Sequence, residues 1–195
     1  MFKPANNQNG FTLVELLVSM ALGLLVLSGL AQTFVVQNRT YEIQSQVSSA
    51  LQIARAAMDM ISRDLKMAGF DPKETGLTGI SNNTTDLVIL ADLNGDGDTL
   101  DTNEYVKYAF DSTNHRILRT EGAAGSAVTF ADDIQNFSFQ YLALGGGAAA
   151  SSADIRMVSF TIQARTEKVD PRYAENGGYR TVTLMGLVTP YNLEF

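Results

Sequence analysis

The sequence predicts an α+β fold: one long N-terminal helix, half membrane anchor and half amphipathic, packed on an antiparallel β-sheet. Three observations predict it. Phe11 to Val36 is an apolar run whose single charge is Glu15. Apolar residues then recur at helical spacing, with no proline, as far as Gly69. After Pro72 the pattern changes to alternation, which is the period of a strand.

Composition narrows the function. At 195 residues and 45% apolar content the chain has one-domain length and enough apolar mass for a core. It has no cysteine, which excludes a disulfide scaffold, a thiol nucleophile and thiolate metal sites. A single histidine, His115, excludes His-rich zinc sites and weakens any Ser-His triad; it falls in a Ser-Thr-Asn-His-Arg turn and reads as a surface residue. The formal charge of −7 argues against a general nucleic-acid binder.

The first element is the apolar run. Its 26 residues would span about 39 Å as a helix, enough for a hydrocarbon core of about 30 Å with some tilt. The polar leader before it, residues 1–10, carries one charge, Lys3, which favours a cytoplasmic N-terminus and an outward-facing remainder. Three readings fit this segment. One is a secretory signal peptide with a small-x-small site at Gly29-Leu30-Ala31. The second is a plain uncleaved anchor. The third must account for a glycine directly before the run and a carboxylate four residues inside it.

That third reading is a resemblance. Gly10-Phe11-Thr12-Leu13-Val14-Glu15 resembles the prepilin signature of type IV pilins and type II secretion pseudopilins. The resemblance implies that a prepilin peptidase cuts after Gly10 and methylates Phe11. It also implies that Glu15 pairs with the N-terminal amine of a neighbouring subunit during assembly. A carboxylate in a membrane helix is costly, by about 2.5–3.5 kcal/mol at the helix centre on insertion scales for Asp, so a cationic partner has a physical rationale. A snorkelling interfacial Glu15 is the plainer alternative.

The second element, residues 37–70, continues the helix. Val47, Leu51, Ala54, Met58, Ile61, Leu65 and Ala68 recur at alternating intervals of four and three, one apolar stripe. Arg55, Asp59, Arg63 and Lys66 mark a solvated face. The spacing would also suit a coiled coil, but the sheet-forming sequence that follows offers a nearer surface. Gly69 and Pro72 signal the helix end, so the helix is expected over about residues 12 to 68.

The third element is a β-rich head, residues 71–195. Expected strands are 86–91, 105–110, 116–120, 134–144, 155–166 and 179–189, with a hairpin turn near Ser112-Thr113-Asn114. The Gly- and Ala-rich stretch 145–152 reads as a mobile connector. Ser62-Arg63-Asp64-Leu65-Lys66-Met67-Ala68-Gly69-Phe70 and Tyr179-Arg180-Thr181-Val182-Thr183-Leu184 make the chain resemble the PilW-type minor pilins, with pseudopilin J of type II secretion as a neighbour. The missing cysteines remove the disulfide-bounded loop of many major pilins.

Between the first two long strands lies an acidic loop, residues 92–104, with five acids and no base. Asp92-x-Asn94-x-Asp96-Gly97 has the spacing of a calcium loop, in which oxygen ligands converge at about 2.3–2.6 Å. An EF-hand would place glutamate where Asn103 stands, and Glu104 comes one residue later. The expectation is a non-EF calcium loop using Asp92, Asn94, Asp96 and Asp98, closed by Asp101 or Glu104. A solvated turn rich in Asp, Asn and Gly is the alternative.

No catalytic constellation is visible, so the expected function is structural, not enzymatic. The resemblance implies a minor, initiating or tip subunit of a type IV pilus or type II secretion pseudopilus. Its partners would be other pilins or pseudopilins, prepilin peptidase, an inner-membrane assembly platform, and membrane lipid before assembly. An exposed adhesin or DNA-uptake subunit is the second reading. Residues 71–195 hold nine basic and seventeen acidic groups, which weighs against DNA.

Overall fold

A computed structural model of the chain describes residues 10–193, so the expected leader lies, apart from Gly10, outside the described residues. The elements in chain order are α1 (Leu13–Met67), β1 (Ile80–Ser81), β2 (Asp86–Leu90), β3 (Tyr105–Asp111), β4 (Arg116–Glu121), β5 (Val128–Ala131), β6 (Ile134–Leu142), β7 (Met157–Arg165) and β8 (Thr181–Val188). Short 3-10 turns occupy Ser152–Asp154 and Glu175–Gly178. The chain divides into two units, Met1–Gln44 and Ser45–Phe195.

In the first unit the described residues are almost wholly helix. Every residue from 10 to 36 is exposed, and the large apolar side chains from Leu13 to Val36 all present more than half their surface. This stretch is long and apolar enough to cross a membrane. Two of its hydroxyls turn inward on the helix itself. Ser28 Oγ donates to the Leu25 carbonyl at 2.8 Å and Thr33 Oγ1 to Gly29 at 3.0 Å. Both donors are thereby satisfied without water, as a lipid setting requires.

In the second unit the remainder of α1 buries a narrow row: Ala50, Ala54, Ala57, Ile61 and Leu65, continued by Ala68 just past its end. The row follows the expected stripe but is rotated toward the alanines, so Val47, Leu51 and Met58 become its half-buried flanks. Small side chains at the centre let a sheet approach the helix axis closely, and longer ones then close the sides. Arg55, Asp59, Arg63 and Lys66 face outward as expected.

The single expected sheet is in fact two. One has the order β1-β2-β3-β4-β5 and the other β6-β7-β8, and neighbours in both are antiparallel. The break falls at Asp132-Asp133, where Asp133 has φ 56°. The next residue, Ile134, still donates its amide to the His115 carbonyl at 2.8 Å, just beyond the Ile117–Ala131 pair, and from Ile134 onward the strand pairs with β7. The chain therefore leaves the first sheet and starts a second. Alternation reports which residues face the core but not which strands are neighbours, hence the one-sheet expectation. Both sheets share one core, with Leu87, Val106, Tyr108 and Ile117 from the first and Phe137, Val158, Phe160 and Ile162 from the second.

Other departures are local. The expected strands 134–144, 155–166 and 179–189 shorten to β6, β7 and β8, and β1 and β5 are additional. The connector expected to be mobile is hydrogen-bonded: Ala143 N donates to the Gly147 carbonyl at 2.7 Å and Ala149 N to Tyr141 at 3.0 Å. His115 is half-buried rather than a plain surface residue, and its φ of 53° closes the β3–β4 turn.

The exit of α1 is tied on three sides. Gly69 has φ 77°, the left-handed conformation that ends helices, and its amide donates to the Leu90 carbonyl at 2.9 Å. Gly79 crosses so close that an added Cβ would lie 2.2 Å from the Gly69 nitrogen, so no larger residue fits there. From the far end of the chain, Tyr191 N donates to the Lys66 carbonyl at 3.2 Å. Asn192 Nδ2 reaches the Met67 carbonyl at 3.4 Å.

A polar pin joins the helix to the first sheet. Tyr108 Oη donates to Asp64 Oδ2 at 2.6 Å, and Arg119 donates to the same oxygen at 3.1 Å and to the Tyr108 hydroxyl at 3.1 Å. Arg119 also pairs with Glu121. Burial pushes the Tyr108 phenol well above its ordinary value, with the Asp64 bond acting in the same direction, so it stays protonated and donates. The packing makes a direct prediction. Ala57→Leu should overfill the buried row and cost about 1–3 kcal/mol, whereas Arg55→Leu on the exposed face should fall within about 0.5 kcal/mol of the parent; denaturant unfolding of the detergent-solubilised chain measures both.

Candidate functional site

Two places hold the residues singled out from the sequence. The first is the start of α1. Thr12 precedes the first helical residue, Leu13, and Glu15 stands three residues after Thr12. Glu15 N donates to Thr12 Oγ1 at 3.2 Å, while Glu15 Oε2 accepts from Thr12 N and Thr12 Oγ1, both at 2.9 Å. This is a reciprocal capping box, which satisfies amides that would otherwise be orphaned at a helix start. A negative side chain in the first turn also complements the helix dipole.

The structure thus gives Glu15 a partner inside its own chain. Reading it only as a membrane carboxylate passes over Thr12, although Thr-x-x-Glu before an apolar run is a sequence signature of such a box. Gly10 and Phe11 sit just outside the helix, both exposed, and an added Cβ at Gly10 would have nothing within 4 Å. The bond that follows Gly10 is therefore unencumbered by the described chain.

The second place is the acidic loop between β2 and β3. Strand pairing runs to its base, where Ala91 N donates to the Glu104 carbonyl at 3.0 Å. Within the loop the side chains fold back on nearby amides. Asp92 Oδ1 accepts from Gly95 N at 2.7 Å and Asp92 Oδ2 from Gly97 N at 2.9 Å. Glu104 Oε1 accepts from Leu93 N and Asn94 N, both at 2.9 Å. Asp96 Oδ1 accepts from Asp98 N at 2.9 Å, which with the Asn94 amide holds the Asp96 carboxyl below its ordinary range and keeps it ionised.

The structure sorts the six expected ligand residues into two groups. Asp92, Asp96 and Glu104 converge, one carboxylate oxygen from each lying within 4.8 Å of the others. Asp92 and Glu104 are buried and Asp96 is exposed. The remaining three are engaged beside this cluster. Asn94 Nδ2 donates to Asp96 Oδ2 at 3.0 Å and to Asp101 Oδ2 at 2.9 Å, and Asp98 Oδ1 accepts from Leu100 N at 2.9 Å. Lys73, from the segment after α1, lies beside Gly97 and Asp96.

The basic residues of the head are largely committed to carboxylates. Arg116 pairs with Asp111 at 2.9 Å, Arg119 with Asp64 at 3.1 Å and Arg180 with Asp170 at 2.9 Å. Arg165 lies 3.8 Å from Asp133. Lys107 and Asp86 are 3.9 Å apart.

Residues 5–31 match the family model described as the prokaryotic N-terminal methylation motif, the signal of type IV prepilins. That motif leads into one long helix followed by antiparallel sheets, and the chain fits a type IV prepilin-like protein. Among solved structures the chain is similar to a type IV-like pilin from Thermus thermophilus, at 13% identity and a TM-score of 0.48, covering 74% of this chain and 98% of that one. No curated protein matches the sequence.

The cap makes its own prediction. Thr12→Ala should weaken the first turn by about 0.5–2 kcal/mol, and the Glu15 amide should then exchange with solvent about 2- to 30-fold faster. Thr12→Ser should retain protection; hydrogen exchange of the chain in micelles reads both.

Proposed function

We propose that the chain is a minor pilin or pseudopilin, a structural subunit cut after Gly10, methylated on Phe11 and assembled through α1 into a type IV pilus or type II secretion pseudopilus. One observation carries the reading: a prepilin-type motif over residues 5–31 opens a helix whose residues 13–36 are all exposed among the described residues. Exposed apolar surface on this scale must be covered from outside. Lipid covers it while the chain is a single-pass protein of the inner membrane, its N-terminus cytoplasmic and its head outward. The same stretch of other subunits covers it in the filament.

Cleavage after Gly10 leaves Thr12 and Glu15 untouched, so the capping box persists in the mature chain. Among the described residues the box uses only Oε2 of Glu15. Oε1 is then available to the N-terminal amine of a neighbouring subunit, created by that same cut. The work of assembly belongs to partners, a prepilin peptidase and an inner-membrane platform. The position proposed for this subunit is the initiating or tip complex, supported by the lack of the cysteines that bound the loop of many major subunits.

Mass spectrometry of the N-terminal peptide, on protein recovered from its native membrane, tests the route. The expected first residue is Phe11 carrying one methyl group; a chain starting at Gln32 or at Met1 would overturn it. Glu15 is tested by a pair of variants. Glu15→Gln keeps the cap, since glutamine serves in a capping box, but removes the charge. Both Glu15→Ala and Glu15→Gln should be cleaved normally yet enter filaments poorly. Normal incorporation of Glu15→Gln would reduce the role of this residue to capping.

A further inference from the structure

We propose that Asp92, Asp96 and Glu104 form a calcium site at the base of the β2–β3 loop. The argument starts from burial. Asp92 is 1% exposed and Glu104 2% exposed, and both belong to a cluster whose oxygens lie within 4.8 Å. Buried carboxylates side by side repel, and each loses hydration that only a cation or hydrogen-bond donors can replace. Backbone amides meet part of this need. They do not meet all of it, because Glu104 Oε2 is buried with no hydrogen-bond partner.

The donors that are present do not block a metal; they aim its ligands. Asp92 is held by the amides of Gly95 and Gly97, and Glu104 by those of Leu93 and Asn94. An ionised carboxylate has about four lone-pair sites, so each retains capacity for an ion after accepting two amides. Gly95 and Gly97 make the bend possible, with φ values of 76° and 94° that disfavour any side chain. Lys73 is an exposed neighbour on the Asp96 side of the loop, one positive charge against three carboxylates.

The chemistry of the cluster selects the ion. All-oxygen, carboxylate-rich ligands suit hard divalent cations and not the softer transition metals. Ligands on opposite sides of a calcium ion are about 4.6–5.2 Å apart, whereas magnesium needs about 4.0–4.2 Å and strict octahedral order. A spread of up to 4.8 Å is accommodated by calcium without contraction. The structure also favours one closing ligand over the other: Asp101 accepts from Asn94, while Glu104 belongs to the cluster and keeps a buried oxygen that no hydrogen bond claims.

The site's location gives it a consequence. Asp92 N donates to the Phe70 carbonyl at 2.7 Å, and the Glu104 carbonyl accepts from Ala91 at 3.0 Å. An ion joining Asp92 to Glu104 would therefore clamp the exit of α1 to the β2–β3 pair. The site stands on this geometry whether or not the chain enters a filament.

The test uses the full chain in detergent micelles, with calcium chloride or magnesium chloride as the probe. About 1 mM calcium, a concentration at which extracellular modules fill, should raise the melting temperature above that in chelator by several degrees. Calorimetry should show one saturable site, with a much smaller response to magnesium. Asp96→Asn lies on the exposed rim and should keep the chelator melting temperature while weakening calcium binding at least about tenfold. Glu104→Gln, which retains an oxygen for the two amides, should weaken it as far or further. An absence of heat and of any shift with the parent chain would overturn the site. So would an undiminished response in Asp96→Asn, and an equal response to magnesium would overturn the choice of ion.

Discussion

The fold depends on one row of side chains along the second half of α1: Ala50, Ala54, Ala57, Ile61 and Leu65. Both sheets draw on the core this row anchors. Its composition is a geometric constraint, because helix–partner distance follows the size of the side chains at the contact. Alanine at the centre permits close approach, and Ile61 and Leu65 fill the deeper end. Asp64 sits beside Leu65, and from there it takes two donors from the first sheet, the Tyr108 hydroxyl and the Arg119 guanidinium. Apolar packing sets how closely the layers meet. The polar pin selects one register of helix on sheet, since a slip would strand a half-buried carboxylate.

The same helix meets a different requirement over residues 13–36. There the described residues offer no apolar partner, and the helix satisfies several of its polar groups alone. Ser28 and Thr33 return their hydroxyls to carbonyls one turn back, and Thr12 with Glu15 closes the first turn. In the proposed function such a segment exchanges lipid for the helices of other subunits without breaking these bonds. This suits the two environments the proposed function requires of it.

Much of this was legible in the sequence, for reasons specific to each element. The apolar run, the helix ends near Thr12 and Gly69, and the alternating strand β7 follow directly from period and punctuation. The row on α1 came out rotated because a hydropathy stripe weights Val47, Leu51 and Met58 above alanine, whereas close packing prefers alanine at the centre. The split into two sheets falls at one positive-φ aspartate, Asp133, after which the chain pairs with β7, a partner no local pattern encodes. In the acidic loop the residue types were visible but their partners were not. Asp101 and Glu104 are equivalent on spacing, and only folding shows one turned to Asn94 and the other turned inward.

The stapling of the helix exit by Tyr191 and Asn192 bears on the order of events during synthesis. The Asn192–Met67 bond spans 125 residues of chain, and contacts of such separation are among the last that a folding chain can form. The helix can be complete along most of its length while its final turn still lacks these partners. The helix exit therefore gains these partners only after residues 191 and 192 have been made. Residues 191 and 192 act as the closing stitch, and a chain halted before them would leave the last carbonyls of α1 without their latch.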